Sequence, residues 1–96
     1  MYVVLWRFRA RVGAERAFEA TYGADGAWAR LFRRDPAYLG SELLRGSDGT
    51  YLTIDRWASC EAWTAFRERE AAAYGELDTR GRALTESETP LPAVEV

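Results

Sequence analysis

Three short stretches of this chain alternate as β-strands do, yet each carries apolar residues on both of its faces. Residues 2–10 set Val4, Trp6 and Phe8 on one side and Val3, Leu5, Arg7 and Arg9 on the other. Residues 38–45 oppose Leu43 to Leu44. Residues 50–57 put Tyr51, Thr53, Asp55 and Trp57 on one face and Thr50, Leu52, Ile54 and Arg56 on the other. Helices can cover only one face of such a sheet. The other face is an apolar surface of the kind that marks an interaction site. A second copy of the chain is the expected cover, so the strands predict a homodimer.

Between the strands the apolar spacing turns helical. Ala17, Phe18 and Tyr22 share a stripe after Gly13, and Trp28, Leu31 and Phe32 share another before Asp35-Pro36 halts it. Gly23-Ala24-Asp25-Gly26 separates the two pieces, with Asp25 the expected cap of the second. Ser47-Asp48-Gly49 supplies hairpin chemistry. Ser59 caps a later helix carrying Trp63, Phe66 and Arg67, and a helical pattern with an expected break near Gly75 runs on to Leu84. The tail from Glu86 to Val96 contains Pro90 and Pro92 and is expected to be an edge strand. The order β-α-β-β-α-β is the ferredoxin-like split, an α+β fold with a four-stranded antiparallel sheet and both helical regions on one face. Ninety-six residues predict one domain spanning 1–96.

What the composition lacks removes whole chemistries. The chain has no His, Lys, Asn or Gln. Histidine-dependent nucleophile systems, imidazole zinc sites, lysine Schiff bases and P-loop phosphate cradles are therefore excluded. All 13 basic residues are Arg, which stays charged at neutral pH. Proton transfer falls to Asp, Glu, Tyr, Cys60 or the substrate itself. Fifteen acidic residues interleave with the arginines, and no basic run exceeds Arg33-Arg34. A nucleic-acid partner is not expected from that pattern. One cysteine forms no internal disulfide, and the first residues are too short and too charged for a membrane span, so a cytoplasmic protein with no membrane partner is the expectation.

Two stretches resemble a known family. Ala37-Tyr38-Leu39-Gly40-Ser41-Glu42-Leu43-Leu44-Arg45 and Tyr51-Leu52-Thr53-Ile54-Asp55-Arg56-Trp57-Ala58-Ser59, followed by Glu61-Ala62-Trp63 and Phe66, resemble the antibiotic biosynthesis monooxygenases. The resemblance covers nearly the whole chain and implies a dimeric α/β barrel, two ferredoxin-like subunits packed sheet to sheet. In the oxygenase branch it implies no metal, flavin or other cofactor: an electron-rich phenol or anthrone loses a proton and its anion reacts with oxygen directly. Trp57 matches the family's pocket tryptophan. Trp63 stands where a pocket tyrosine can occur, and Thr53 stands where the oxygenase branch can carry an asparagine. The haem-degrading branch needs an axial histidine that this chain lacks, with Tyr74 falling roughly at that ligand's place.

The candidate catalytic residues are Thr53, Asp55, Trp57 and Tyr74, and the candidate substrate-binding residues are Trp6, Trp28, Tyr51 and Trp63. Each has a plainer alternative. Trp57, Trp63, Trp6 and Trp28 serve equally as core. Tyr51 and Tyr74, like Tyr22, serve as amphipathic boundary residues. Asp55 would be a base if buried, or a salt-bridge partner of Arg7 or Arg56 if not. Arg56 lies on the opposite strand face, suited to a subunit interface. Cys60, in a first helical turn, has no histidine to activate it.

Two functions from different classes remain. One is a cofactor-independent monooxygenase of a flat aromatic small molecule. The other is a non-enzymatic dimeric module that binds an apolar ligand or merely folds. A cavity below roughly 300 Å³ points to the second. Convergence of Thr53, Asp55 or Tyr74 on a larger one points to the first.

Overall fold

The computed structural model describes residues 1–96. Strand β1 (Tyr2–Ala10) pairs antiparallel with β3 (Tyr51–Trp57) on one side and β4 (Thr85–Pro90) on the other, and β2 (Tyr38–Arg45) adds to the outer edge of β3. The resulting order β2-β3-β1-β4 is that of the ferredoxin-like split. A two-residue strand, β5 (Val94–Glu95), pairs with the start of β1. Four helices, α1 (Glu15–Tyr22), α2 (Ala27–Phe32), α3 (Cys60–Arg69) and α4 (Ala71–Arg82), complete the chain. No helix is long and apolar enough to cross a membrane.

Two local expectations are corrected. Asp25 does not cap α2: Gly26 is the cap residue, and the Asp25 carboxylate instead accepts from Arg33 Nη2 at 2.7 Å. Glycine is required at position 26 because a Cβ there would fall 2.6 Å from the Ala20 carbonyl oxygen. The break between α3 and α4 comes at Glu70 rather than Gly75, which lies inside α4. Ser59 caps α3 as expected, its Oγ accepting from the Ala62 N–H at 3.0 Å.

A third feature re-aims one strand. Gly40 sits at φ +126°, and the β2–β3 register shifts between Tyr38 and Gly40. This bulge reverses the side-chain alternation along β2. Tyr38 and Ser41, three residues apart, consequently share the helix-facing side, opposite Trp57 and Asp55 respectively.

The core under the helices forms two clusters. Val4, Leu31, Phe32, Trp57, Trp63, Phe66 and Leu77 make the larger; Phe8, Phe18, Tyr22 and Tyr51 make the smaller. Trp6 and Trp28 pack against both. The far face of the sheet has no helix over it. There Leu44 and Val94 stand nearly half exposed, and Leu5, Leu52 and Ile54 are only partly buried. Arg56 pairs with Glu42 on this face at 2.6 Å.

Candidate active site

The two core clusters do not close completely against each other. At their seam lies a cavity of about 50 Å³, walled by Val4, Trp6 and Phe8 from β1 and Thr53 and Asp55 from β3. Helices supply Tyr22, Trp28, Phe32, Trp63, Tyr74 and Asp78, and β4 supplies Glu88. The pairing explains the floor: Trp6 lies across from Thr53 and Val4 across from Asp55 in the β1–β3 ladder. The roof is aromatic. Trp28 meets Tyr74 edge-on at 4.8 Å, and Tyr74 in turn lies 6.2 Å from Trp63.

Six of the eight sequence candidates meet at this cavity: Thr53, Asp55, Tyr74, Trp6, Trp28 and Trp63. Two do not. Trp57 has no exposed surface and is enclosed by Phe66, Trp63, Phe32 and Tyr38 at ring distances of 5.0, 5.2, 5.4 and 5.4 Å. Helix α3 packs directly over this end of β3, so Trp57 shares a face with Asp55 without reaching open space. Tyr51 is drawn into the smaller cluster against Phe18, and its hydroxyl donates to Glu19 Oε2 at 2.5 Å.

Asp55 makes neither of the ion pairs the sequence offered it. Arg56 is occupied by Glu42 across the other face of the sheet. The only bonded partner of the Asp55 side chain is Ser41, whose Oγ donates to Asp55 Oδ1 at 2.5 Å. Burial without a compensating cation pushes the Asp55 carboxyl up to about 6, a rise the Ser41 hydroxyl partly opposes. The other two carboxylates of the wall differ: Arg82 holds Asp78 at 2.7 Å and Glu88 at 3.4 Å. No group of three His, Cys, Asp or Glu is placed to hold a metal ion.

Two further groups shape the chemistry. Burial raises the Tyr74 phenol, opposed by the Arg67 guanidinium, which stands 5.5 Å over the Tyr74 ring and 5.5 Å over Trp63. Burial also pushes the Tyr22 hydroxyl to about 12. Trp28 Nε1 approaches that hydroxyl but reaches no hydrogen-bond geometry, leaving a buried donor unpaired on a cavity-lining ring. The slot of about 50 Å³ that Tyr74 borders has room for neither a tetrapyrrole nor a tricyclic aromatic unless its walls move. Ser41 escaped the sequence reading, though glycine in mid-strand at position 40 is the signal of the bulge that aims it inward.

No curated protein matches the chain by sequence. Solved structures do match in shape. A variant of SnoaB, a cofactor-independent oxygenase from Streptomyces nogalater, superposes with TM-score 0.73 at 21% identity, over 99% of this chain and 91% of that one. Rv0793 from Mycobacterium tuberculosis gives 0.67 at 19% identity, over 99% and 96%. An MhuD variant with two manganese protoporphyrin IX bound per active site gives 0.72 at 24% identity, over 100% and 94%. These likenesses establish the fold. The family profile for antibiotic biosynthesis monooxygenases covers residues 1–73, from the first strand past the cavity's α3 wall, and to that family the chain belongs.

Proposed function

We propose that the protein is a cofactor-independent monooxygenase that oxidises a flat, electron-rich aromatic molecule of the phenol or anthrone type. The observation that carries this reading is Asp55: a carboxylate without an ionic partner, ionising near neutrality, on the wall of an otherwise aromatic slot. A general base is most effective when its ionisation lies near the working pH. In this reading Asp55 takes the acidic proton of the substrate, while Trp6, Trp28, Trp63 and Tyr74 grip its rings. The unpaired Trp28 N–H and the Thr53 hydroxyl are donors for the oxyanion that forms.

The step balances without a protein redox group. The substrate C–H bond breaks, its proton passes to Asp55, and the carbanion–enolate reduces oxygen to form a C–O–O⁻ bond. Asp55 returns the proton, and the hydroperoxide loses water to leave a carbonyl. One anthrone and one O2 thus give one quinone and one water.

A cavity of about 50 Å³ does not admit such a substrate unless a wall side chain moves. Tyr74 is suited to that: it also lines a surface hollow with Thr64, Arg67, Glu68, Ala71 and Gly75, so its rotation joins the slot to solvent. The small volume is also the observation that favours the second reading, a non-enzymatic module of the same fold. Oxygen uptake with an anthrone separates the two. The oxygenase reading predicts consumption above buffer that falls at least about 100-fold in Asp55→Asn. Uptake equal to buffer leaves the non-enzymatic module, and uptake above buffer that this substitution does not change removes Asp55 as the base.

The same proposal includes a homodimer closed over the bare sheet face, where Leu44, Leu52, Ile54 and Leu5 leave apolar area uncovered. Sedimentation at micromolar concentration is expected to give twice 10.9 kDa, and Ile54→Asp to give the single-chain mass. A wild-type particle of single-chain mass overturns the dimer.

A further inference from the structure

We infer that Ser41 and Tyr38 are positioning residues for Asp55: a two-link hydrogen-bonded chain along β2 that fixes one carboxylate oxygen and turns the other toward the cavity. The inference rests on the reading of Asp55 as the base, and it concerns residues outside the cavity wall itself.

The chain has a defined direction. Ser41 Oγ lies 2.5 Å from Asp55 Oδ1 and 2.5 Å from the Tyr38 hydroxyl. An ionised carboxylate only accepts, so the single Ser41 proton goes to Asp55. Tyr38 must then supply the second bond, donating its phenolic proton to Ser41 Oγ. Each bond polarises the next, so the donor reaching Asp55 is stronger than an isolated serine. Only Oδ1 is engaged in this way, which leaves Oδ2 for a substrate proton.

The backbone is bent to make this arrangement. In a regular strand Tyr38 and Ser41 would point to opposite faces. The bulge at Gly40, at φ +126°, puts both on the helix side with Ser41 directly across from Asp55. Bulges that re-aim a side chain are over-represented beside active sites. Packing accounts for the Tyr38 ring, which closes on Phe32 and Trp57, but not for the inward Ser41 hydroxyl, whose bonds run only to Tyr38 and Asp55.

Apart from burial itself, the Ser41 hydroxyl is the group that acts on Asp55. From β1 only Val4 and Trp6 border this part of the slot. From α1 comes Tyr22, from α4 Tyr74 and Asp78, and from β4 Glu88. Asp78 and Glu88 are tied to Arg82, Arg67 acts on Tyr74, and Arg33 and Asp25 act on Tyr38 from the surface. No cation reaches Asp55 itself.

The test is a carbon-13 NMR titration of the Asp55 carboxyl in the ligand-free protein, with no substrate present. Removing a donor to the ionised form raises the midpoint. Ser41→Ala is expected to raise it by about one pH unit, a tenfold change. Tyr38→Phe, which keeps the ring packed on Phe32 and Trp57, is expected to raise it less, and Ser41→Thr to return it to the wild-type value. The acidic limb of the oxygen-uptake profile should move in parallel. An unchanged or lowered midpoint in both Ser41→Ala and Tyr38→Phe overturns the inference, and Tyr38→Phe alone decides it if Ser41→Ala does not fold. Midpoints that move in a protein without oxygen uptake uphold this chain and remove the oxygenase reading. Uptake with immobile midpoints does the reverse.

Discussion

The two ends of the helix-facing side of β3 have the same strand geometry and opposite fates. At one end Trp57 is wholly enclosed by four aromatic neighbours; six ångströms or so up the strand, Asp55 borders open space with one hydroxyl for company. Strand alternation determines which face a residue is on. What lies over that face depends on the helices. Helix α3 starts immediately after Trp57 and lays Trp63 and Phe66 back upon it. Over Thr53 and Asp55 the cover is shared among α1, α2, α4 and the Trp63 side chain of α3, and the breaks at Gly23–Gly26 and at Glu70 leave a seam. A face that is solid at one end and hollow at the other can hold its shape while it handles a ligand.

Substitutions at the two ends should therefore cost very different amounts. Trp57→Ala is expected to lose about 3–5 kcal/mol in denaturant unfolding, the range for emptying a fully buried aromatic site. Thr53→Ala, beside the cavity, should lose no more than about 1 kcal/mol. Equal losses would mean that the seam is packed as tightly as the Trp57 end.

The next effect has the opposite sign. The Asp55 carboxyl ionises near 6 in the fold against 3.8 when solvated. Between those values the native state binds more protons than the unfolded state, so stability from this group is full below 3.8 and is lost as pH rises through 6. Asp55→Asn keeps an acceptor for Ser41 and removes the charge. It is expected to stabilise the protein by about 1–3 kcal/mol at pH 8, with the gain fading as the pH falls toward 4. Thermal melting of the two proteins across that range measures it, and a gain independent of pH contradicts the burial of Asp55.

The smallest effect lies away from both ends. Arg69 Nη2 bonds Asp35 Oδ2 at 2.7 Å, joining the end of α3 to the turn before β2. The Ala37 N–H and then this guanidinium hold the Asp35 carboxyl below its usual value. Arg69 is half exposed, so Arg69→Ala should cost at most about 1 kcal/mol, less at high salt. A loss as large as that of Trp57→Ala would show that this turn, rather than the aromatic cluster, anchors β2.

Much of this was readable in the residues. The period-two stretches gave strands with the right faces, and Thr53, Asp55, Tyr74, Trp6, Trp28 and Trp63 do converge. The failures share a cause. Trp57 and Tyr51 sit on the correct face, but the alternation carries no information about which helix descends on which end of a strand. Asp25 looked like a cap because its chemistry suits one, and a nearby arginine took it instead. Ser41 was hidden because a single glycine reversed the parity of β2, and periodicity assumes that parity is kept.

The most direct measurement of the central claim, that the hollow end receives a ligand and the solid end does not, is a nuclear Overhauser map of a bound naphthol. The account predicts contacts from the ligand's ring protons to the Thr53 methyl group and to the Trp28 and Tyr74 rings, with none to Trp57. Contacts confined to Leu44 and Ile54 on the far face, or to none of these residues at saturating naphthol, would contradict it.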